Sequence, residues 1–232
     1  MKRTLKWMVP LAVGVLTAWP VTVTAQPPAE EQGAIALPQS LGLSAELGFV
    51  KRVDTPPDYA LVAPFGPTVG LGVEAPFGER LSVGLSYEFR GLGRERSPIF
   101  ASGAADVSRD AHALWLAMRV FPVRGDVAAL FMGMRIAPVW QNATLVASTW
   151  DPRDAGRAVG LSCSARGTAA LGLGAELGGE VRLGSSVRLT SAAGFASLGL
   201  ADEVIDGCVP GAGSVLSLGM RTGLVFDIEF AP

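Results

Sequence analysis

The stretch Arg221-Thr-Gly-Leu-Val-Phe-Asp-Ile-Glu-Phe230 alternates almost without a break. Leu224, Phe226, Ile228 and Phe230 share one face of an extended strand, and Arg221, Asp227 and Glu229 share the other. Either face suits a core, so the solvent outside decides which one points inward. The same period-two pattern recurs along the chain. Leu41, Leu43, Ala45, Leu47 and Phe49 oppose Ser44, Glu46 and Gly48, and Val69, Leu71, Val73 and Ala75 oppose Gly70, Gly72 and Glu74. After a Pro-Phe-Gly-Glu-Arg turn, Leu81 to Phe89 repeats it against Ser82, Glu88 and Arg90.

Further alternations cover residues 113–120, 130–136, 168–183, 187–198 and 214–230, which makes eight strands in all. The connections run long, short, long, short, long, short, long, at about residues 53–67, 76–80, 91–111, 121–126, 137–166, 184–186 and 200–213. One end of the sheet therefore carries tight turns and the other long excursions, an asymmetry found in outer-membrane barrels.

The first 25 residues have the layout of a secretory signal peptide. Lys2, Arg3 and Lys6 precede an apolar run, and Val23-Thr24-Ala25 supplies small residues before a cut ahead of Gln26. Residues 26–40 form a Pro- and Glu-containing periplasmic linker, and residues 41–230 form the barrel domain. Cleavage leaves Lys51 as the only lysine and moves the formal charge from −2 to −5. That balance, with no basic patch or aromatic platform, argues against nucleic acid as a partner.

The chain is 49% hydrophobic and 17% charged. A lipocalin-like soluble barrel would turn its polar parity to water, yet here that parity is mostly Gly, Ala and Ser with scattered Arg and Glu, which suits a narrow interior. The apolar parity is accordingly assigned to lipid. Inward parity then falls to Glu46, Glu74, Glu88, Arg90, Arg119, Arg135, Glu176, Glu180, Arg182, Arg188, Arg221, Asp227 and Glu229. Unpaired, these charges would be costly, so a network of ion pairs plugging the lumen is expected. Trp115 shares this inward parity, either as core packing or through a slip of register. Phe49, Phe77, Tyr87, Phe89, Phe121, Phe226 and Phe230 near strand ends suit interfacial girdles.

Arg221, Gly223, Phe226, Ile228 and Phe230 resemble the C-terminal assembly signal of outer-membrane barrels, here followed by Ala231-Pro232. At the fold level the chain resembles the small eight-stranded barrels of the OmpA, OmpX and OmpW type, over about residues 41–230. The resemblance implies residence in the bacterial outer membrane, contact with lipid and lipopolysaccharide, and insertion by the barrel-assembly machinery. It also implies a structural role, loop-mediated interaction with an extracellular ligand, or small-solute passage through a narrow pore.

Chemistry for catalysis is scarce. His112 is the only histidine. Lipid-modifying barrels of this shape carry a serine two residues after their histidine, where Leu114 stands here, although Ser108 lies four before it. No catalytic, cofactor or metal site is assigned. Asp202, Glu203 and Asp206, and the Arg94-Glu95-Arg96 run, are taken as solvated loop charges. Cys163 and Cys208 fall on adjacent external excursions, where an exported chain forms a disulfide; its closed ring stabilises by roughly 3 to 4 kcal/mol.

Overall fold

The structure, a computed structural model, describes residues 40–54, 60–100, 103–150 and 158–230. The signal-peptide assignment, nearly all of the linker and Ala231-Pro232 lie outside the described residues. The elements are β1 (Ser40–Arg52), β2 (Ala60–Ala63), β3 (Phe65–Phe77), β4 (Leu81–Phe100), β5 (Gly103–Arg124) and β6 (Ala128–Trp150). They continue with β7 (Ala158–Arg166), β8 (Ala170–Arg182), β9 (Val187–Gly199), β10 (Val204–Ile205), β11 (Val209–Pro210) and β12 (Ser214–Glu229).

Eight of these strands close an antiparallel ring in the order β1-β3-β4-β5-β6-β8-β9-β12. The seam joins β12 to β1 from Ser40 opposite Glu229 to Arg52 opposite Ser217. Closure leaves this ring no open edge, the condition for a sheet that crosses hydrocarbon, where no water satisfies a free N–H or C=O.

The alternation predicted the faces correctly. Leu47, Leu71, Met134, Leu177 and Phe226 are exposed on the outer wall, Leu47 at 67%. Val50, Trp115, Val139, Val215 and Val225 are buried inside. Trp115 is fully buried, so its inward parity is core packing and the register there is regular, pairing it with Ser86.

Two of the expected long excursions are strand. Residues 91–100 and 103–111 and most of 137–166 continue the pairing, because β4, β5 and β6 run to 20, 22 and 23 residues. About 9 to 11 residues cross a tilted bilayer, so these hairpins project well beyond it. Past the ring β7 takes the place of β8 beside β6, and β2 pairs with β4, which widens the projection into a five-stranded sheet. The alternation in this region is carried by Ser, Thr, Ala and charged residues, so it is weak as a hydrophobic signal.

A bulge between Gly91 and Gly93 shifts the inward parity of β4 by one. Gly93 has φ +91°, and a Cβ there would lie 2.0 Å from the Ala63 carbonyl oxygen, so glycine is required on both counts. As a result Arg90 and Leu92 point inward at even positions and Glu95 points inward at an odd one. Glu95 is therefore buried, contrary to its reading as a loop charge, while Arg94 and Arg96 are exposed. Phe121 is also corrected: it is buried in the lumen against Phe131, with ring centroids 5.9 Å apart, and is not part of a girdle.

Candidate functional site: the lumen and its external cap

The lumen is filled in layers. At the tight-turn end Phe121, Ala129, Phe131 and Ala192 form a small apolar cluster. Next comes a charged layer. Arg119 donates to Glu176 at 2.9 Å and Glu74 at 2.9 Å and lies 3.5 Å from Glu46. Arg188 reaches Glu74 at 2.6 Å, Glu180 at 2.6 Å and Asp227 at 2.7 Å. Arg221 reaches Glu46 at 3.0 Å and Glu88 at 3.3 Å, and pairs with Glu176. Glu88 also holds Arg135 at 2.8 Å and pairs with Arg90, which donates to the Ser217 hydroxyl at 2.7 Å.

These contacts join five arginines and six carboxylates into one connected set. Most of the acids bridge two or more arginines, which satisfies several lone pairs and donors at once in a confined space. Arg182 and Glu229, which share the inward parity, do not join it. Both are exposed at the tight-turn rim.

Above the charges lies an apolar layer of Trp115, Leu92, Val139, Leu198 and Val215 among small alanines. Arg135 links the two layers, stacking 4.3 Å over the Trp115 ring while it holds Glu88. Higher still, Glu95 sits between Arg109, at 2.9 Å, and Arg52, which also reaches Asp54 at 2.7 Å. Arg52, Glu95 and Arg109 are all buried and were not among the expected lumen charges. Arg52 and Arg109 were legible by carrying the alternations of β1 and β5 further, through Val50 and through Ala111, Ala113 and Trp115. Glu95 was hidden by the bulge.

The last excursion folds back as a cap. Asp206 and Gly207 have φ of 49° and 65°, an Asp-Gly turn joining β10 to β11. Ile205 and Val209 bury against Val107, Ala143 and Ala165 of the projecting sheet. Gln141, fully buried, donates to the Ala201 carbonyl at 3.0 Å and accepts from the Ala212 amide at 3.1 Å. The Asp206 carboxylate accepts from the Arg166 amide at 3.1 Å, so this acid is a turn residue holding β7. A Cys163–Cys208 disulfide with Cα atoms 6.0 Å apart ties the cap to β7.

Outside the wall, a row of aromatics marks where the apolar belt gives way to Arg94, Ser108, Thr144 and Ser164. His112 lies in this row, stacked on Trp140 with centroids 5.8 Å apart and edge-on to Phe89. Its Nδ1 meets the Tyr87 hydroxyl at 2.5 Å, and its Nε2 lies 2.9 Å from Asp110 and 2.7 Å from Asn142. Among the described contacts His112 engages no serine. Amphipathic rings with one polar end suit the membrane–water boundary.

No protein-family model matches the sequence, and no curated protein matches it. Among solved structures, the chain is similar to Neisserial surface protein A at 13% identity and TM-score 0.50, over 82% of this chain and 97% of that one. It is also similar to a major outer membrane protein from Thermus thermophilus, at 14% identity and TM-score 0.47 over 81% and 99% of the two chains. The attachment invasion locus protein Ail of Yersinia pestis matches at 12% identity and TM-score 0.41, over 81% and 98%. The closed ring of eight antiparallel strands, with its apolar outer wall, gives the chain the fold of a small eight-stranded β-barrel like that of Neisserial surface protein A.

Proposed function

We propose that the barrel is a non-conducting envelope protein with a structural or surface-interaction role, its lumen plugged and its projecting sheet and cap offering a rigid face to a partner outside the cell. The filling of the lumen carries this reading. The cavities beside the charged layer, of about 20 and 30 Å³, have room for only about one to three waters each, too little for a solute path. The apolar layer around Trp115 adds a dry barrier to ions, and the cap, fixed by Gln141 and the disulfide, lies over the outer end. Reconstitution in planar bilayers tests it: the expected trace is silent, and steady single-channel steps would replace the plug with a narrow pore for small solutes.

The exposed Arg94, Arg96 and Arg166 above the aromatic row support contact with lipopolysaccharide phosphates. His112 serves as an interfacial anchor in this reading and has no part in lipid turnover. Arg221, Gly223, Phe226, Ile228 and Phe230 form the signal read by the barrel-assembly machinery. Gly223 has a structural duty as well, since a Cβ there would lie 2.3 Å from the Ala45 carbonyl oxygen across the seam.

A further inference from the structure

Each of the three tight turns delivers one arginine to the same end of the barrel. Arg80 comes from the first, Arg124 from the second and Arg182 from the third. Together with Glu79 and Asp126 they line an open bowl of about 660 Å³, a volume within the range of small-ligand sites. The bowl sits at the mouth of the lumen with buried Phe121 in its lining, and Arg182 belongs to the inward parity, so the bowl looks along the barrel axis and away from the lipid.

Among the described residues none of these five charges forms an ion pair, although the lumen a few residues away is saturated with them. Arg124 is held in place by other means. Its guanidinium lies 4.6 Å over the Phe121 ring, and its Nη1 donates to the Glu79 carbonyl at 2.8 Å, which leaves the rest of the fork free. A preoriented guanidinium flanked by two more suits planar or bidentate anions, carboxylates and phosphates alike.

We propose that this bowl binds a short peptide carrying both carboxylates and an amine, the chemistry of the cross-linking peptides of the cell wall that faces this side of the membrane. The three arginines take the carboxylates, and Glu79 or Asp126 takes the amine. Those same two acids repel a bare polyanion, so inorganic phosphate is a poor ligand. The choice of the wall rests on the outer-membrane orientation in which tight turns face the periplasm; the bowl itself does not.

Fluorescence anisotropy of a labelled Ala-Glu-Lys-Ala peptide with the purified, folded barrel in detergent tests the bowl whatever its orientation in cells. The expected result is saturable, salt-sensitive binding, weakened about tenfold in the combined R80Q, R124Q and R182Q variant, since three exposed ion pairs are at stake. K51Q, on the outer wall toward the opposite end, leaves binding unchanged. The gel shift between unboiled and boiled samples confirms that each variant is folded. Absence of saturable binding, or equal binding by the triple variant, overturns the site. Phosphate binding as tightly as the peptide overturns the peptide assignment. In a second arm, co-sedimentation of the barrel with purified cell-wall sacculi, lost in the triple variant, ties the ligand to the wall; peptide binding without sacculus binding overturns that source while leaving the bowl and the plug intact.

Discussion

Around Arg119 the lumen is filled by ion pairs, whereas four residues along β5, around Trp115, it is filled by Leu92, Val139, Leu198 and Val215. Both layers exclude solvent, but they depend on different things. The apolar layer needs volume in the right place, and dispersion contacts are indifferent to which neighbour supplies them. The charged layer needs partners. Glu74 serves Arg119 and Arg188, and Glu176 serves Arg119 and Arg221, so losing one guanidinium takes one partner from several carboxylates at once. The ion pairs thus tie strands together across the lumen that the backbone ladder does not join, and the apolar layer seals it.

That contrast breaks first at Arg119. Arg119→Ala leaves buried carboxylates underpaired and is expected to cost about 3–5 kcal/mol, measured by urea unfolding of the folded barrel in detergent. A loss under about 1 kcal/mol would mean water already shields the layer. Leu198→Ala in the apolar layer is expected to cost about 2–4 kcal/mol and to leave the ion pairs intact, since only contacts and a cavity are involved. Comparing the two in the same denaturant series ranks the layers.

Reducing the Cys163–Cys208 disulfide acts outside both. A loss of about 3 kcal/mol is expected, together with faster proteolysis of the cap, while the heat-dependent gel shift of the ring persists. Trp115→Phe sharpens the apolar side: Trp115 Nε1 is buried without a partner, so removing it offsets part of the lost volume, and the net cost is expected to be about 1 kcal/mol or less.

The smallest effect belongs to the exposed pair of Arg96 and Asp106, 2.9 Å apart on the projecting sheet. The hydrogen bond from Arg96 holds the Asp106 carboxyl below its ordinary value. Any stability this gives is present above the ordinary carboxylate range and is lost as pH falls through the lowered value. Arg96→Gln should leave stability at neutral pH unchanged while the Asp106 titration, followed by NMR, moves back up toward the ordinary value.

Much of the barrel was legible because lipid, wall and lumen impose a strict alternation, and alternation survives in sequence. Leu224, Phe226 and Ile228 against Arg221 and Asp227 give the two faces of β12 with no knowledge of its neighbours. The tight turns were equally clear, since Gly78 in its Pro-Phe-Gly-Glu-Arg turn adopts φ +68°. The projecting hairpins were not. Outside the bilayer both faces of a strand meet water or a small core, so Asp106, Ser108 and Thr144 carry no hydrophobic period and pass for loop. The Asp206-Gly207 turn was a local signal for the cap hairpin that the surrounding acids obscured.

The sequence by itself therefore determined the ring of eight strands, the identity of its outward face, and the inward position of Glu46, Arg119 and Arg221, because each follows from the period of the chain alone. The partnerships were decided only by the tertiary structure. That Arg188 of β9 holds Glu74 of β3 across the lumen, that Arg182 and Glu229 stop at the rim, and that Glu95 turns inward after the Gly91–Gly93 bulge all depend on strand register and tilt. Register sums small shifts around a closed ring, and no single strand contains that sum.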